Sequence, residues 1–149
     1  MHHFNGLDEV KAAVGQHLGH TAWIDVTQDV INRFADATFD QQWIHVDPER
    51  AKAGPFGGTI AHGYWTLSLV PSFLYQLYAV DGVPMQINYG SNRVRYPSTV
   101  PVGARVRGGA EFTNFEQGPN HAQLTTTVTV EIEGGPKPAC VAEVLTRLG

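Results

Sequence analysis

Two side chains that can move protons lie five positions apart in the segment ATFDQQWIHVDPE: Asp40 and His45. On an α-helix, five residues at about 100° each would turn these side chains about 140° apart, so one helix through both would separate them. A carboxylate and an imidazole that grip one water molecule can activate that water and deliver a proton. The pair can act in this way only if the flanking elements turn both side chains inward.

The flanking residues predict a helix on each side of the pair. Thr27 is a suitable N-cap for a helix that ends near Thr38, and Asp47-Pro48 is a strong start signal for a second, short helix. The Asp40–His45 segment is therefore predicted to be a loop between two helices. The buried stripe of the first of these helices would consist of Val30, Ile31, Phe34 and Ala35.

Three further elements are predicted in the first half of the chain. The spacing of Leu7, Val10, Val14 and Leu18 predicts an amphipathic helix of about three turns, which Gly19 can end. A short extended piece follows at residues 23–26. From Tyr64 to Leu77 almost no residue is charged, which predicts a helix that is buried on most sides, and Pro71 should kink or break it.

The second half of the chain is typical of β-structure. Apolar and polar residues alternate over residues 104–113 and 124–133, and residues 84–96 and 138–148 supply two more strands. Short turns separate the runs, which predicts an antiparallel meander. The predicted fold class is α+β, with a curved antiparallel sheet wrapped around the long apolar helix.

The composition favours a single domain over residues 1–149, because a chain of 149 residues that is 42% hydrophobic can build one core. The net charge of −4 and the scattered basic residues disfavour nucleic acid and membrane surfaces as partners. No stretch is apolar enough to span a bilayer. The lone cysteine, Cys140, cannot form an intrachain disulfide and is predicted to be a small buried residue, which suits a cytoplasmic protein.

Three stretches together resemble one known family. The pattern from Phe34 to His45, followed by Ala51, resembles the hydratase motif of the MaoC-like dehydratases, which include the (R)-specific enoyl-CoA hydratases. Residues 60–63, IAHG, resemble that family's second motif at the start of its central helix. Residues 88–97 and 100–103 resemble its first long strand and turn. The resemblance covers about residues 22–148.

The resemblance implies a hot-dog fold, a homodimer, and reversible addition of water to a trans-2-enoyl thioester of coenzyme A or acyl carrier protein. Asp40 and His45 would be the catalytic pair, and Gly63 would offer its backbone N–H to the thioester carbonyl. His62 would either hold the start of the helix in place or contact the substrate directly. This chemistry needs no cofactor, and the spacing of the acid and histidines matches no trusted metal site.

Other side chains are candidates for contacts with the substrate. Arg93 and Arg95 point to one face of a strand, where they would either meet the phosphates of coenzyme A or remain solvated. The candidates for the wall of an acyl pocket, or alternatively for the core, are Phe39, Trp43, Phe56, Tyr64 and Trp65.

The sequence departs from the family at three places that bear on activity. Gln42-Trp43 stands where the family usually has Asn-Pro. Phe39 stands where the family usually has glycine, and a positive φ there would cost about 1–2 kcal/mol. The serine that many (R)-hydratases carry on the central helix falls on Pro71, with Ser68 and Ser72 nearby. Two other functions therefore stay open, a hot-dog thioesterase and a non-catalytic acyl-thioester binder or partner subunit of a heteromeric dehydratase.

Overall fold

The elements are those of an α+β fold, and the computed structural model describes all of residues 1–149. In chain order they are β1 (His2–Asn5), α1 (Leu7–Ala12), β2 (His17–His20), β3 (Ile24–Asp25), α2 (Gln28–Thr38), α3 (Trp43–Val46), α4 (Pro48–Lys52), α5 (Gly63–Ser68), α6 (Val70–Leu77), β4 (Tyr78–Asp81), β5 (Gln86–Arg95), β6 (Arg105–Gln117), β7 (Ala122–Ile132) and β8 (Cys140–Leu148).

The main sheet is antiparallel and has the strand order β2-β6-β7-β8-β5, with β3 also paired to β6. The predicted meander is correct for β6, β7 and β8. It is wrong for β5, which pairs with β8 rather than with the next strand along the chain. The reason is the position of the central helix: β5 follows it and enters the sheet at the far edge. The sheet wrapped around the helix confirms the expected hot-dog fold.

The central helix consists of α5 and α6, and the break expected near Pro71 is confirmed. The two segments meet at Leu69, and Pro71 lies in the first turn of α6, where its missing N–H leaves no helical hydrogen bond unmade. The buried Phe73 packs against β6 where that strand carries Gly108. A Cβ built on Gly108 would lie 2.5 Å from the Phe73 ring, so only glycine permits this close approach of helix and sheet.

The first helix is shorter than predicted. Helix α1 ends at Ala12 instead of continuing to Leu18, which is buried in β2. Gly15 has φ 88°, and its N–H donates to Phe112 O at 2.7 Å. Pairing with the sheet therefore competes successfully with continuation of the helix, and Gly19 lies in β2 rather than at a helix end.

The short strand β1 was not predicted. It pairs in parallel with β4, the strand that follows the central helix. Its Phe4 is buried against Phe112 and Tyr78, with ring centroids 5.6 Å and 6.4 Å away. The N-terminal residues thus close one end of the core.

The buried side chains form one core cluster between the helices and the inner face of the sheet. Strand β8 alternates strictly, with every second residue from Cys140 to Leu148 buried. Cys140 is fully buried as predicted, and burial raises the pKa of its thiol to about 11. None of the helices has the length and apolar character needed to cross a membrane.

Candidate active site

Asp40 lies directly after a strained residue that ends α2. Phe39 ends the helix in the left-handed conformation, with φ 63° and ψ 16°, and is the only residue other than glycine with positive φ. The expected strain is therefore present. This turn leaves the Asp40 side chain half-exposed, with Oδ1 accepting from the Gln42 N–H at 3.4 Å.

His45 lies on a one-turn helix and not in a loop, so the prediction of a continuous loop over residues 40–45 is wrong. Backbone hydrogen bonds from His45 N to Gln42 O at 3.0 Å and from Asp47 N to Trp43 O at 3.1 Å close the turn α3. The separation of helices that the sequence implied still holds, because α2 and α3 are distinct. The result is a buried imidazole close to a half-exposed carboxylate.

The hydrogen bond at His45 Nδ1 fixes the state of the ring. Nδ1 lies 2.7 Å from Ile60 O, and a carbonyl oxygen can only accept, so Nδ1 carries the proton. In the neutral ring, Nε2 then holds the lone pair and is free to act as a base. This is the arrangement that a general-base histidine needs.

Burial also keeps His45 neutral. Loss of solvent is the largest influence and lowers the pKa of His45 below its ordinary value of 6.5, and the neighbouring His62 lowers it further. The hydrogen bond to Ile60 and the charge of Asp40 act in the opposite direction but do not reverse the shift. The imidazole is therefore uncharged at neutral pH.

His62 connects the two members of the pair. Its side chain is 2% exposed, its ring is stacked on the His45 ring at 3.8 Å between centroids, and Phe34 covers it at 4.9 Å. Nε2 donates to the backbone oxygen of Asp40 at 3.0 Å, while Nδ1 is buried without a partner. His62 thus contacts both the Asp40 backbone and the His45 ring, and whether it positions the helix start or contacts the substrate stays a prediction.

One water molecule can contact both members of the pair. The carboxylate of Asp40 and the rings of His45 and His62 each place one donor or acceptor atom within 4.8 Å of the others. A water that makes hydrogen bonds of about 2.8 Å can bridge such atoms. The same three side chains could also hold a cation, but His62 Nε2 already makes a hydrogen bond to Asp40 O.

Gln28, which the sequence did not single out, supports the pair through the backbone of His45. Gln28 donates to His45 O at 2.7 Å and accepts from Thr59 Oγ1 at 2.6 Å. It therefore joins α2 to α3 and to the segment that precedes the central helix. Nothing in the sequence distinguishes this glutamine from a solvated one in the first turn of a helix.

Gly63 begins the central helix next to His62, and the backbone N–H groups of a first turn have no partner within the helix. A Cβ at this position would lie 3.4 Å from the Tyr96 ring. Glycine therefore keeps open the approach to the helix start and the space beside Tyr96. The role of the Gly63 N–H as a donor to the thioester carbonyl stays a prediction.

The MaoC like domain family model matches residues 9–133. The chain belongs to the MaoC-like dehydratase family. It is 52% identical to 3-hydroxyacyl-thioester dehydratase Z of Mycobacterium tuberculosis, over 99% of this chain and 98% of that protein. It is also 44% identical to Nodulation protein N of Rhizobium leguminosarum, over 97% of this chain and 91% of that protein.

A solved structure shows the same fold. The (R)-hydratase from A. caviae, described as involved in PHA biosynthesis, superposes with a TM-score of 0.75 at 25% identity, covering 91% of this chain and 96% of that one. The family and fold that the sequence motifs implied are thus confirmed.

The MaoC-like fold of this chain contains a cavity of about 290 Å³ between the central helix and strands β5 and β8. It begins beside Tyr64, the residue after Gly63, and extends along the helix to Tyr78. Its helix side is largely apolar. Its other lining residues include Ser68 on the helix, Gln86, Asn88 and Ser91 on β5, and Val144 and Thr146 on β8.

The aromatic pocket candidates occupy different surroundings. Tyr64 lines the cavity, whereas Trp65 is buried in the core. Trp43 stacks on the Arg50 guanidinium at 4.4 Å, and Phe39 and Phe56 are exposed in the single chain. The roles of Phe39, Trp43 and Phe56 in an acyl pocket stay predictions.

Arg93 and Arg95 lie on the outer face of β5. They oppose Glu143 and Val141 of β8, whose side chains point away from the core, and both arginines are exposed. Neither lines the cavity. A contact with the phosphates of coenzyme A stays a prediction for them.

Proposed function

We propose that this chain is a hydro-lyase that interconverts trans-2-enoyl thioesters and (R)-3-hydroxyacyl thioesters. The observation that carries the proposal is the Asp40–His45 pair, whose polar atoms lie within bridging distance of one water beside the start of the central helix. Membership of the family and the 52% identity to a 3-hydroxyacyl-thioester dehydratase support the same reaction.

In the proposed hydration, Asp40 and His45 hold the attacking water. The neutral Nε2 of His45 accepts a proton from that water, and the remaining hydroxide forms the new C–O bond at C3 of the substrate. The pair returns one proton to C2, so the two side chains end in their starting states and one water has been added across the double bond. Dehydration follows the same steps in reverse.

The thioester oxygen gains negative charge as water adds, and Gly63 would stabilise it. Its backbone N–H at the helix start can donate to the developing enolate oxygen, with the helix dipole in the favourable direction. We propose no metal or organic cofactor for this reaction. The substrate carrier, coenzyme A or acyl carrier protein, enters only through the thioester.

The test is turnover of crotonyl-CoA by the purified protein. We expect Asp40→Asn and His45→Gln each to reduce kcat/KM by about 10²-fold or more, because each removes one of the two groups that hold the water. Matched controls are Asp29→Asn and His17→Gln, which change the same residue types at exposed positions away from the pair. Full activity in either site variant would contradict the proposal.

The same assay separates the alternative functions. A thioesterase would release free coenzyme A thiol from the substrate, whereas a hydratase leaves the thioester intact. A non-catalytic binder would bind crotonyl-CoA without consuming the double bond. The base-competent tautomer of His45 favours the hydratase, because thioester hydrolysis by a carboxylate needs no such partner.

We also propose that the chain forms a homodimer through β5. This strand is an edge of the sheet, and its exposed side chains include Ile87 and Tyr89. Unpaired edges with apolar side chains are favourable sites for pairing with a second strand. The exposed Tyr64, Tyr75 and Met85 lie on neighbouring elements and would extend the contact.

A further inference from the structure

Strand β5 carries polar side chains on the face that it turns toward the central helix. The inner face of a hot-dog sheet would be expected to be apolar. Directly opposed residues of antiparallel strands project to the same face of a sheet, and β8 buries every second residue against the core. The β5 residues that share this inner face are Gln86 opposite Leu148, Asn88 opposite Thr146, and Ser91 opposite Val144. All three β5 side chains line the cavity.

These polar groups have hydrogen-bonding capacity that the protein itself does not use, and in the single chain Asn88 and Ser91 are exposed to water, which an acyl chain in the cavity would displace. Asn88 and Ser91 make no side-chain hydrogen bond, and Gln86 only accepts one from Tyr78 Oη at 3.3 Å. Ser68, on the helix side, differs because its hydroxyl donates to Trp65 O at 2.7 Å. The cavity therefore has an apolar wall on the helix and a wall with free donors and acceptors on β5.

The polar wall has a defined orientation relative to the reaction site. Tyr96, which follows β5, packs beside Gly63 at the start of the central helix, whereas Gln86 contacts Tyr78 at its end. Strand β5 thus runs antiparallel to the helix. Gln86 and Asn88 lie at the end of the cavity remote from the place proposed for the thioester.

We propose that this cavity selects acyl chains that carry a hydrogen-bonding group, a hydroxyl or an oxo group, near the end remote from the thioester. Asn88 and Gln86 would be the specificity-determining residues. A plain alkyl chain would cover their amides without offering a partner, which is unfavourable, whereas a hydroxyl or oxo group would satisfy them. This inference rests on the proposed function, since it names the acyl group of the same substrate.

The test compares two substrates that differ only at the far end. The kcat/KM of the wild-type protein is measured for trans-2-decenoyl-CoA and for ω-hydroxy-trans-2-decenoyl-CoA, and we expect the hydroxylated substrate to be preferred. In Asn88→Leu and, separately, in Gln86→Leu, we expect the ratio of the two values to fall by about tenfold, because the hydroxyl then meets an apolar side chain.

Asn92→Leu is the matched control. It makes the same change on the same strand, but Asn92 does not line the cavity and donates to Glu143 at 2.7 Å. Its substrate ratio should equal that of the wild type. A wild-type preference for the plain chain would overturn the proposal, as would an unchanged ratio in both cavity variants.

Two further measurements separate this inference from the proposed function. Crotonyl-CoA has a short acyl chain that does not extend to the polar wall, so failure to hydrate it counts against the reaction alone. Calorimetric binding of saturated decanoyl-CoA and ω-hydroxydecanoyl-CoA then tests the cavity without catalysis. Tighter binding of the hydroxylated ester supports the polar wall, and equal or weaker binding overturns it.

Discussion

At the level of single residues, the candidate site combines a strained backbone at Phe39 with a histidine, His45, whose ring is held in one tautomer. Phe39 adopts a left-handed conformation immediately before Asp40, although its own side chain is 89% exposed and gains little from packing. The strain is therefore not offset at the residue that bears it. The hydrogen bond from His62 to Asp40 O and the helix α2 hold the turn in place instead.

Replacing Phe39 with glycine should stabilise the protein. We expect Phe39→Gly to raise the free energy of unfolding by about 1 kcal/mol, because glycine adopts this conformation without a Cβ clash. The measurement is urea denaturation at a fixed protein concentration. Phe39→Ala is the control, since it keeps the Cβ and should leave stability nearly unchanged. An equal gain in both variants would assign the effect to the lost aromatic ring rather than to the backbone.

The pKa of His45 makes a prediction about pH. The neutral imidazole is the active form of a base, so activity is lost as pH falls through the pKa of the folded protein. Since burial lowers that pKa below 6.5, the acidic limb of the kcat/KM profile should lie below pH 6.5. A profile measured with crotonyl-CoA checks this. A midpoint at or above pH 6.5 would show that His45 is not held neutral by its surroundings.

The residue types of the site were predictable from sequence, but the contacts between their side chains were not. The spacing of Asp40 and His45 and the IAHG stretch indicated the candidate pair and the helix start. The stacking of His62 on His45 joins residues 17 positions apart, and the support from Gln28 comes from another element. Such contacts depend on tertiary packing, which leaves no periodic signal in one sequence.

At the level of elements, the approach of helix α6 to strand β6 depends on one glycine. We expect Gly108→Ala to lower the free energy of unfolding by about 1–3 kcal/mol, because its Cβ would overlap the buried Phe73 ring. Urea denaturation checks the change, with Gly58→Ala as control because a Cβ there meets no atom within 4 Å.

A second substitution tests the cause of this loss. Phe73→Leu shortens the partner, so the double variant should lose less stability than the sum of the two single variants. Strict additivity would show that the two positions do not interact, and the destabilisation by Gly108→Ala would then need another explanation.

Elements with long, regular patterns were predicted well. The central helix, its break near Pro71 and the strands β6, β7 and β8 follow directly from apolar runs and period-two alternation. The first helix was predicted to be too long, because Leu18 continues the helical spacing but lies in strand β2. Strand β5 was found, but its pairing with β8 depends on the path of the chain after the helix, which periodicity does not encode.

At the level of the whole molecule, the exposed edge of β5 predicts the oligomeric state. We expect Ile87→Lys to shift the proposed dimer toward monomer, because a charge would replace an apolar side chain at the contact. Sedimentation velocity at matched concentrations measures the shift. Gln16→Lys adds the same charge at an exposed position away from β5 and should leave the dimer intact. Unaltered sedimentation of Ile87→Lys would place the interface elsewhere.

Strand β5 has two roles in these proposals, since one face lines the cavity and its free edge receives a second subunit. Tyr64 and Tyr75 line the cavity and also lie at the proposed subunit contact, so the two equilibria share residues and are thermodynamically linked. A ligand that fills the cavity should therefore tighten subunit association. Conversely, dilution that separates the subunits should weaken the apparent affinity for the acyl chain.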